Sequence, residues 1–254
     1  MSVGTALRVV SFNLRNGRAP DGRNAWPLRR RATAGALERL DADVAGLQEA
    51  YRCQERYLGR QLPEHSSVSR GRDANDRGER CPVLYRTARF QLDGAVVRWF
   101  SDEPDVPGSR LPNASFPRIA TLVELTDRAS GRRFGVANTH LDERQRPNRV
   151  RSAELLASWL RPGIPWVVTG DLNAEPDAKP LRVLQAHGLQ SVLPDDAGGT
   201  NHDFTGRTDG RRIDHILVSD EWEVAAAEVD HHRPNRRLPS DHWPIVADLR
   251  LREA

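Results

Sequence analysis

Lysine is almost missing from this chain: Lys179 is the single one, so nearly all of the 38 basic residues are arginine. GC-rich codon usage explains that skew more simply than phosphate recognition does. With a net charge of only +3 over 254 residues, the pI near 9.3 is too weak an electrostatic footprint to imply nucleic acid. Cysteine is scarce too. Cys53 and Cys81 share no paired spacing, which argues against a disulfide framework or a zinc site and suits a reducing compartment. Six Trp, six Phe and three Tyr offer no obvious stacking platform for bases. No apolar run is long enough to span a bilayer, and Met1–Arg8 lacks the basic region, apolar stretch and cleavage site of a leader. A soluble, cytoplasmic protein without membrane insertion is expected. At 38% hydrophobic the chain can bury one sizeable core, so a single domain over residues 1–254 is the default.

What is present is a series of short runs rich in Val, Ile and Leu. They are Leu7–Phe12, Val44–Leu47, Val83–Tyr85, Ile119–Leu125, Phe134–Ala137, Trp166–Thr169, Ile213–Val218 and Ile245–Leu251. Their lengths predict strands. Helical periodicity places Leu28, Ala32, Ala36, Leu37 and Leu40 on one face of Leu28–Leu40, and Val150, Ala153, Leu156, Ala157 and Leu160 on one face of Asn148–Leu160. A third helix starts near Pro180, carries Leu181 and Leu184, and ends at Gly188. The long connections Arg15–Trp26, Arg70–Arg80, Trp99–Pro117, Asp195–Arg211 and His231–Ser240 are dense in Gly, Pro, Asp, Asn or Arg. Two packed sheets with helices outside and loops gathered at one rim would accommodate this mixture.

Acidic and amide residues sit at the ends of the apolar runs. Asn13, Glu49, Asp171 and Asn173 each follow one; Asn138, His140 and Asp142 close another; Asp214 opens a third, and Asp241-His242 precede the last. Each alone is an ordinary turn former, a structural histidine or a surface charge. Together they supply the oxygen donors that a hard cation such as Mg²⁺ or Mn²⁺ takes.

The ordered motifs Ser11-Phe12-Asn13, Leu47-Gln48-Glu49, Asn138-Thr139-His140-Leu141-Asp142, Gly170-Asp171-Leu172-Asn173, Arg212-Ile213-Asp214 and Ser240-Asp241-His242 resemble the DNase-I-like exonuclease–endonuclease–phosphatase superfamily. The segments Trp99–Ser109 and Gly198-Gly199-Thr200 resemble an uncharacterised bacterial branch of it. The resemblance implies an α/β fold, a four-layered α/β sandwich of two packed mixed β-sheets flanked by helices, and a metal-dependent phosphoric ester hydrolase. It implies Asn13 and Glu49 as the main metal-binding pair, with Asp241 near the same metal. Asp171 and Asn173 would hold the attacking water and a phosphate oxygen, and His140 and His242 would flank the phosphate. Asp214 would be the carboxylate partner of His242, and Glu79 that of His140. Arg118, and Asn138 beside the histidine, would contact phosphate.

Such a site suits phosphoester hydrolysis, in which cations must balance charge on the phosphoryl oxygens while a base serves the water. A phosphorylated small molecule is the favoured substrate, because Asp102, Glu103 and Asp105 would repel a polyanion if they stood at the mouth of the site. Nuclease action is the alternative, and a binder that has lost catalysis a remote one. The basic stretches Arg144–Arg151 and His231–Arg237 are read as solvated faces.

Overall fold

The computed structural model describes residues 6–233 and 237–252. Residues 1–5, 253–254 and 234–236, the last inside the predicted loop His231–Ser240, lie outside the described residues. Along the chain come β1 (Leu7–Asn13), α1 (Trp26–Leu40), β2 (Val44–Gln48), α2 (Arg52–Gln61), β3 (His65–Val68), β4 (Val83–Arg86) and β5 (Phe90–Trp99). Then follow β6 (Ile119–Asp127), β7 (Arg133–His140), α3 (Arg146–Trp159), β8 (Trp166–Asp171), α4 (Lys179–Ala186), β9 (Gln190–Ser191), β10 (Asp214–Val218), β11 (Trp222–Val229) and β12 (Ile245–Leu251).

Two six-stranded sheets result, ordered β11-β12-β1-β2-β4-β3 and β5-β6-β7-β8-β10-β9. Each contains one parallel pair, β1 with β2 and β7 with β8, and in each case the crossover carries a helix, α1 or α3. Each predicted apolar run falls on a strand, Ile213 alone standing one residue before β10, because these strands are buried from both sides. Val9, Val44, Val136, Val167 and Ile216 fill the layer between the sheets. Phe12, Leu47 and Ala45 face Leu37, Leu40 and Leu58 of α1 and α2. Ala137 and Val168 face Leu156, Leu181 and Leu184 of α3 and α4. The order is helix, sheet, sheet, helix, the expected four layers. At the centre the sheets meet so closely that a Cβ on Gly46 would lie 1.9 Å from Thr169 Oγ1.

The elements absent from the sequence reading are those with little buried apolar surface. The edge strand β5 exposes or half-exposes all but its end residues, Phe90 and Trp99, and β11 follows the same pattern between Trp222 and Val229. Helix α2 buries only Gln54 and Leu58. The buried face of α1 differs from the one its periodicity predicts: Leu28 is exposed, and the buried stripe runs through Trp26, Arg29, Thr33, Leu37 and Leu40. Arg29 takes the inward position because its guanidinium satisfies the carbonyls of Leu14, Arg15, Asn24 and Pro239 at 2.7–2.9 Å. Burial lowers its pKa to about 10, so it remains charged at neutral pH.

Candidate active site

Strand register assembles the site. On β8 Asp171 stands opposite His140 of β7 on one side and Asp214 of β10 on the other. In the other sheet Asn13 ends β1 opposite Gln48, with Glu49 next along the chain. The chain leaves these strands through left-handed residues, Arg15 (φ 56°), Glu49 (φ 57°) and Asn173 (φ 48°). Such backbone is uncommon outside glycine and turns each loop sharply over the rim.

Asn13 joins the two sheets. Its Nδ2 donates to Asp171 Oδ2 at 2.9 Å and to Glu49 Oε1 at 3.2 Å, while its Oδ1 accepts from Arg15 N at 2.8 Å. Glu49 Oε2 accepts from Asn16 N at 2.7 Å. Asp241 is brought alongside by Ser240, whose hydroxyl donates to Asn13 O at 2.6 Å. Its Oδ2 lies 3.4 Å from the Arg15 guanidinium. Burial, with the charge of Glu49 adding to it, raises the Asp241 pKa.

The two histidines differ in charge. His242 Nδ1 and Asp214 Oδ2 are 2.7 Å apart. Burial by itself would lower the His242 pKa, but the charge and hydrogen bond of Asp214, with Asp241 and Asp171, outweigh it and raise it well above 6.5. His140 moves the other way. Burial and the nearby guanidinium groups of Arg118 and Arg72 hold its pKa well below 6.5. Asn173 donates to Leu141 O at 3.1 Å, which orients its amide, and donates to His140 Nε2 at 3.0 Å. Neutral His140 therefore carries its proton on Nδ1, which is buried without a hydrogen-bond partner. Asp171 sits between the two rings, 3.6 Å from His140 Nε2 and 3.9 Å from His242 Nδ1. Burial and the charge of Asp214 raise its pKa to about 7.

The sequence model of the Endonuclease/Exonuclease/phosphatase family matches residues 10–242. The chain belongs to this family. Its fold matches that of an endonuclease/exonuclease/phosphatase family protein from Bacteroides thetaiotaomicron with a TM-score of 0.92 and 29% identity, covering 99% of each chain. A mannosyl-6-phosphatase of the same organism superposes with a TM-score of 0.89 and 29% identity over 96% of this chain and 99% of that one. The uncharacterised protein L388 of Acanthamoeba polyphaga mimivirus is 23% identical over 87% of this chain and 91% of its own length.

Against the family pattern, two expected roles fail on geometry. Asn138 cannot serve a phosphate. It is fully buried between the sheets, donating to Leu47 O and Pro82 O at 2.7 and 2.8 Å and accepting from Gln48 Nε2 and Thr169 Oγ1. Replacing it with Ala would remove a partner from Leu47 O, Gln48 Nε2 and Thr169 Oγ1 and leave Pro82 O with Leu47 N alone, so Asn138→Ala is expected to lower stability by about 3 kcal/mol in urea unfolding, at ~1–3 kcal/mol per buried group left short of a bond. An unchanged midpoint would contradict this. Nor does Glu79 orient His140, since no hydrogen bond or ion pair links them among the described residues. Glu79 instead accepts from Arg72 at 2.5 Å and Asn16 Nδ2 at 3.0 Å, with Arg118 at 3.9 Å. The Arg72 and Arg118 guanidinium groups outcompete an imidazole for its charge.

Other members of the site were not read from the sequence. Arg72 joins Arg118 beside His140, and Asn16 links Glu49 to Glu79. Asn201 lies 3.0 Å from His242 Nε2. As an imidazolium, His242 must meet an acceptor there, either the turned amide oxygen or a substrate oxygen. The Asn201 loop packs on Gly199, where a Cβ would strike Gly210 O at 2.1 Å. Asp142, by contrast, serves the fold by accepting from the backbone of Arg144 and Gln145 before α3. Cys53 and Cys81 are both free.

One donor atom each from Asp171, Asp214 and His242 falls within 4.8 Å of the others, a grouping able to hold a divalent metal. Asn13, Glu49 and Asp241 lie beside it, joined by the Asn13 Nδ2 bond to Glu49 and the Ser240 hydroxyl bond to Asn13 O. The excess of buried carboxylate here, visible in the raised pKa values of Asp171 and Asp241, fits a bound divalent cation.

Beneath the site, His215 on β10 is buried with its ring 2.8 Å from Ala174 O. Burial lowers its pKa from 6.5 to about 4. The unfolded chain takes up this proton first, so the stability contribution is complete above about pH 6.5 and is lost as pH falls towards 4. At about 1.4 kcal/mol per pKa unit, roughly 3 kcal/mol is involved. Urea unfolding at pH 7.5 and 4.5 should show a smaller pH difference for His215→Leu than for the wild type. An equal difference would reject the assignment.

Proposed function

We propose that this protein is a divalent-metal-dependent phosphoesterase acting on a small phosphorylated metabolite. The observation carrying the reading is the convergence of His140, Asp171 and His242 on one point, with Asp171 3.6 Å from His140 and 3.9 Å from His242 and with Asp214 2.7 Å behind His242; the directions of their pKa values, His242 raised, His140 lowered and Asp171 raised to about 7, agree with it. A carboxylate titrating near neutrality is suited to accept a proton from an attacking water. Asp171 takes that task, and the backbone N–H of Asn173 supports its orientation by donating to Asp171 Oδ1 at 2.9 Å. His242, charged and braced by Asp214, donates to a phosphoryl or leaving-group oxygen as negative charge develops there. Arg118 and Arg72 supply bidentate positive charge on the flank of His140.

Asn13, Glu49 and Asp241 would hold Mg²⁺ or Mn²⁺; when bound, the ion neutralises phosphoryl oxygens and fixes their orientation. This set is preferred to Asp171, Asp214 and His242, because His242, held cationic by its 2.7 Å bond to Asp214, would have to give up a proton to ligate a metal.

A small substrate is supported by the likeness to the mannosyl-6-phosphatase and by clefts of about 780 and 770 Å³ beside Asn173 and Asn201, sizes suited to a small molecule. The acidic loop does not stand at the mouth of the site. Asp105 pairs with Arg98 at the β5 edge and lines a cavity with Val68, Ser69 and Asp76, none of them site residues. Phosphate release from sugar phosphates and other small mono- and diesters, with Mg²⁺ or Mn²⁺, tests the proposal. Turnover that EDTA abolishes is expected. Efficient cleavage of DNA or RNA with these compounds untouched would overturn it.

A further inference from the structure

We propose that the substrate carries a second phosphate, received by the cleft between α3 and α4 beside the phosphate that is hydrolysed; this deepens the phosphoesterase reading above and rests on it. The cleft holds about 780 Å³ and reaches Asn173, the residue bonded to His140. Its position therefore lets one small molecule occupy both places. Pro147, Val150 and Pro180 line part of the wall, leaving an apolar surface for a carbon skeleton.

The charge of the wall is unbalanced. Arg151 is paired with Glu154 at 3.2 Å, and Arg211 with Glu175 at 3.0 Å. Arg146, Arg149 and Lys179 also line the cleft but form no ion pair among the described residues, and Asp177 is the one acid left on the wall to face them. Arg149 is fixed in place by donating to the carbonyls of Asp142 and Glu143 at 2.8 and 3.2 Å. Its pKa is lowered by burial and by Arg146, the behaviour of a cation short of a counterion. The basic stretch Arg144–Arg151 thus turns part of itself towards the site.

A second cleft shares Glu175 and Arg211 with the first, so their ion pair divides the two. That other side is lined by Asp195, Asp196, Asp203 and Asp209, which outnumber its own Arg207 and Arg212, Arg207 being paired with Asp209. An anionic group attached to the bound phosphoester is repelled there and attracted between α3 and α4. A hexose bisphosphate has the required chemistry.

Arg146 and Lys179 are exposed and make no side-chain hydrogen bond among the described residues, so the double variant Arg146→Glu/Lys179→Glu should keep the fold, as circular dichroism would verify. The probes are fructose 1,6-bisphosphate and fructose 6-phosphate. The wild type is expected to prefer the bisphosphate by about tenfold or more in kcat/KM, as charge-assisted contacts would give. The double variant should lose that preference while keeping monophosphate turnover within about twofold. An equal effect on both sugars, or a preference left intact, would overturn the inference while leaving the phosphoesterase reading standing. If neither sugar is hydrolysed, calorimetry with inorganic pyrophosphate decides. Binding weakened about tenfold by charge reversal supports the cleft, and unchanged binding rejects it whatever the activity.

Discussion

Glu49→Gln is expected to lower kcat/KM at saturating Mg²⁺ by about 10²–10³-fold, the scale of removing one charge-stabilising group from a transition state. The substitution keeps the size of the side chain, and its carbonyl oxygen can still accept from Asn16 N, now 2.7 Å from Oε2. What it removes is one negative charge beside Asp241, to whose raised pKa Glu49 contributes. A divalent cation held by Asn13, Glu49 and Asp241 loses part of its neutralisation and should need a higher Mg²⁺ concentration for half-activity. Metal titration of activity, with isothermal calorimetry of Mn²⁺ as an independent measure, separates weaker binding from slower turnover. A variant with wild-type rate and wild-type metal dependence would place the metal elsewhere, and Asp171, Asp214 and His242 would become the set to test.

The second large effect belongs to the His242–Asp214 pair. His242→Ala removes the cation itself, and a loss of about 10²–10⁴-fold is expected for a group that works by proton transfer or charge stabilisation. Asp214→Ala leaves the ring in place but takes away the 2.7 Å bond and much of the charge that keeps it protonated. Burial then dominates and the imidazole becomes neutral at pH 7. Because both substitutions abolish the same imidazolium, the double variant should be scarcely worse than His242→Ala alone. Full additivity of the two losses, measured as kcat/KM on one substrate, would mean that the residues act separately. The pH profile gives a further readout: Asp214→Ala should recover activity at lower pH, where the ring can be protonated again, whereas His242→Ala should not.

Much of the site was legible because strand ends converge. A polar residue closing or opening an apolar run stands at a rim; Asn13, Glu49, His140 and Asp171 stand at the ends of theirs and Asp214 at the start of its own. What the sequence hides is which partner each side chain finds. Asn138 shares a face of β7 with His140, two residues on, yet stands about 7 Å farther from the rim; there it is spent on carbonyls of the opposite sheet. Glu79 comes from a loop, and its choice of Arg72 over His140 is settled by folding of that loop. Asn16, Arg72 and Asn201 likewise sit in irregular segments where no periodicity marks them. The core of the fold was readable for the opposite reason, since strands buried on both faces must be apolar. β5, β11 and α2 bury little and left no such mark.

Arg29 ties the beginning of the chain to its end. From α1 its guanidinium reaches the carbonyls of Leu14 and Arg15, just past Asn13, and that of Pro239, just before Ser240-Asp241-His242. Residues over two hundred positions apart are thereby held by one planar group whose geometry allows little play. Neither segment can swing outward without breaking bonds that the other shares, so the two behave as one cooperative unit in native-state fluctuations. For the metal set proposed above, the spacing between the Asn13 and Asp241 segments would be set before a cation arrived, and binding it would not have to repay the entropy of bringing two ends of a chain together.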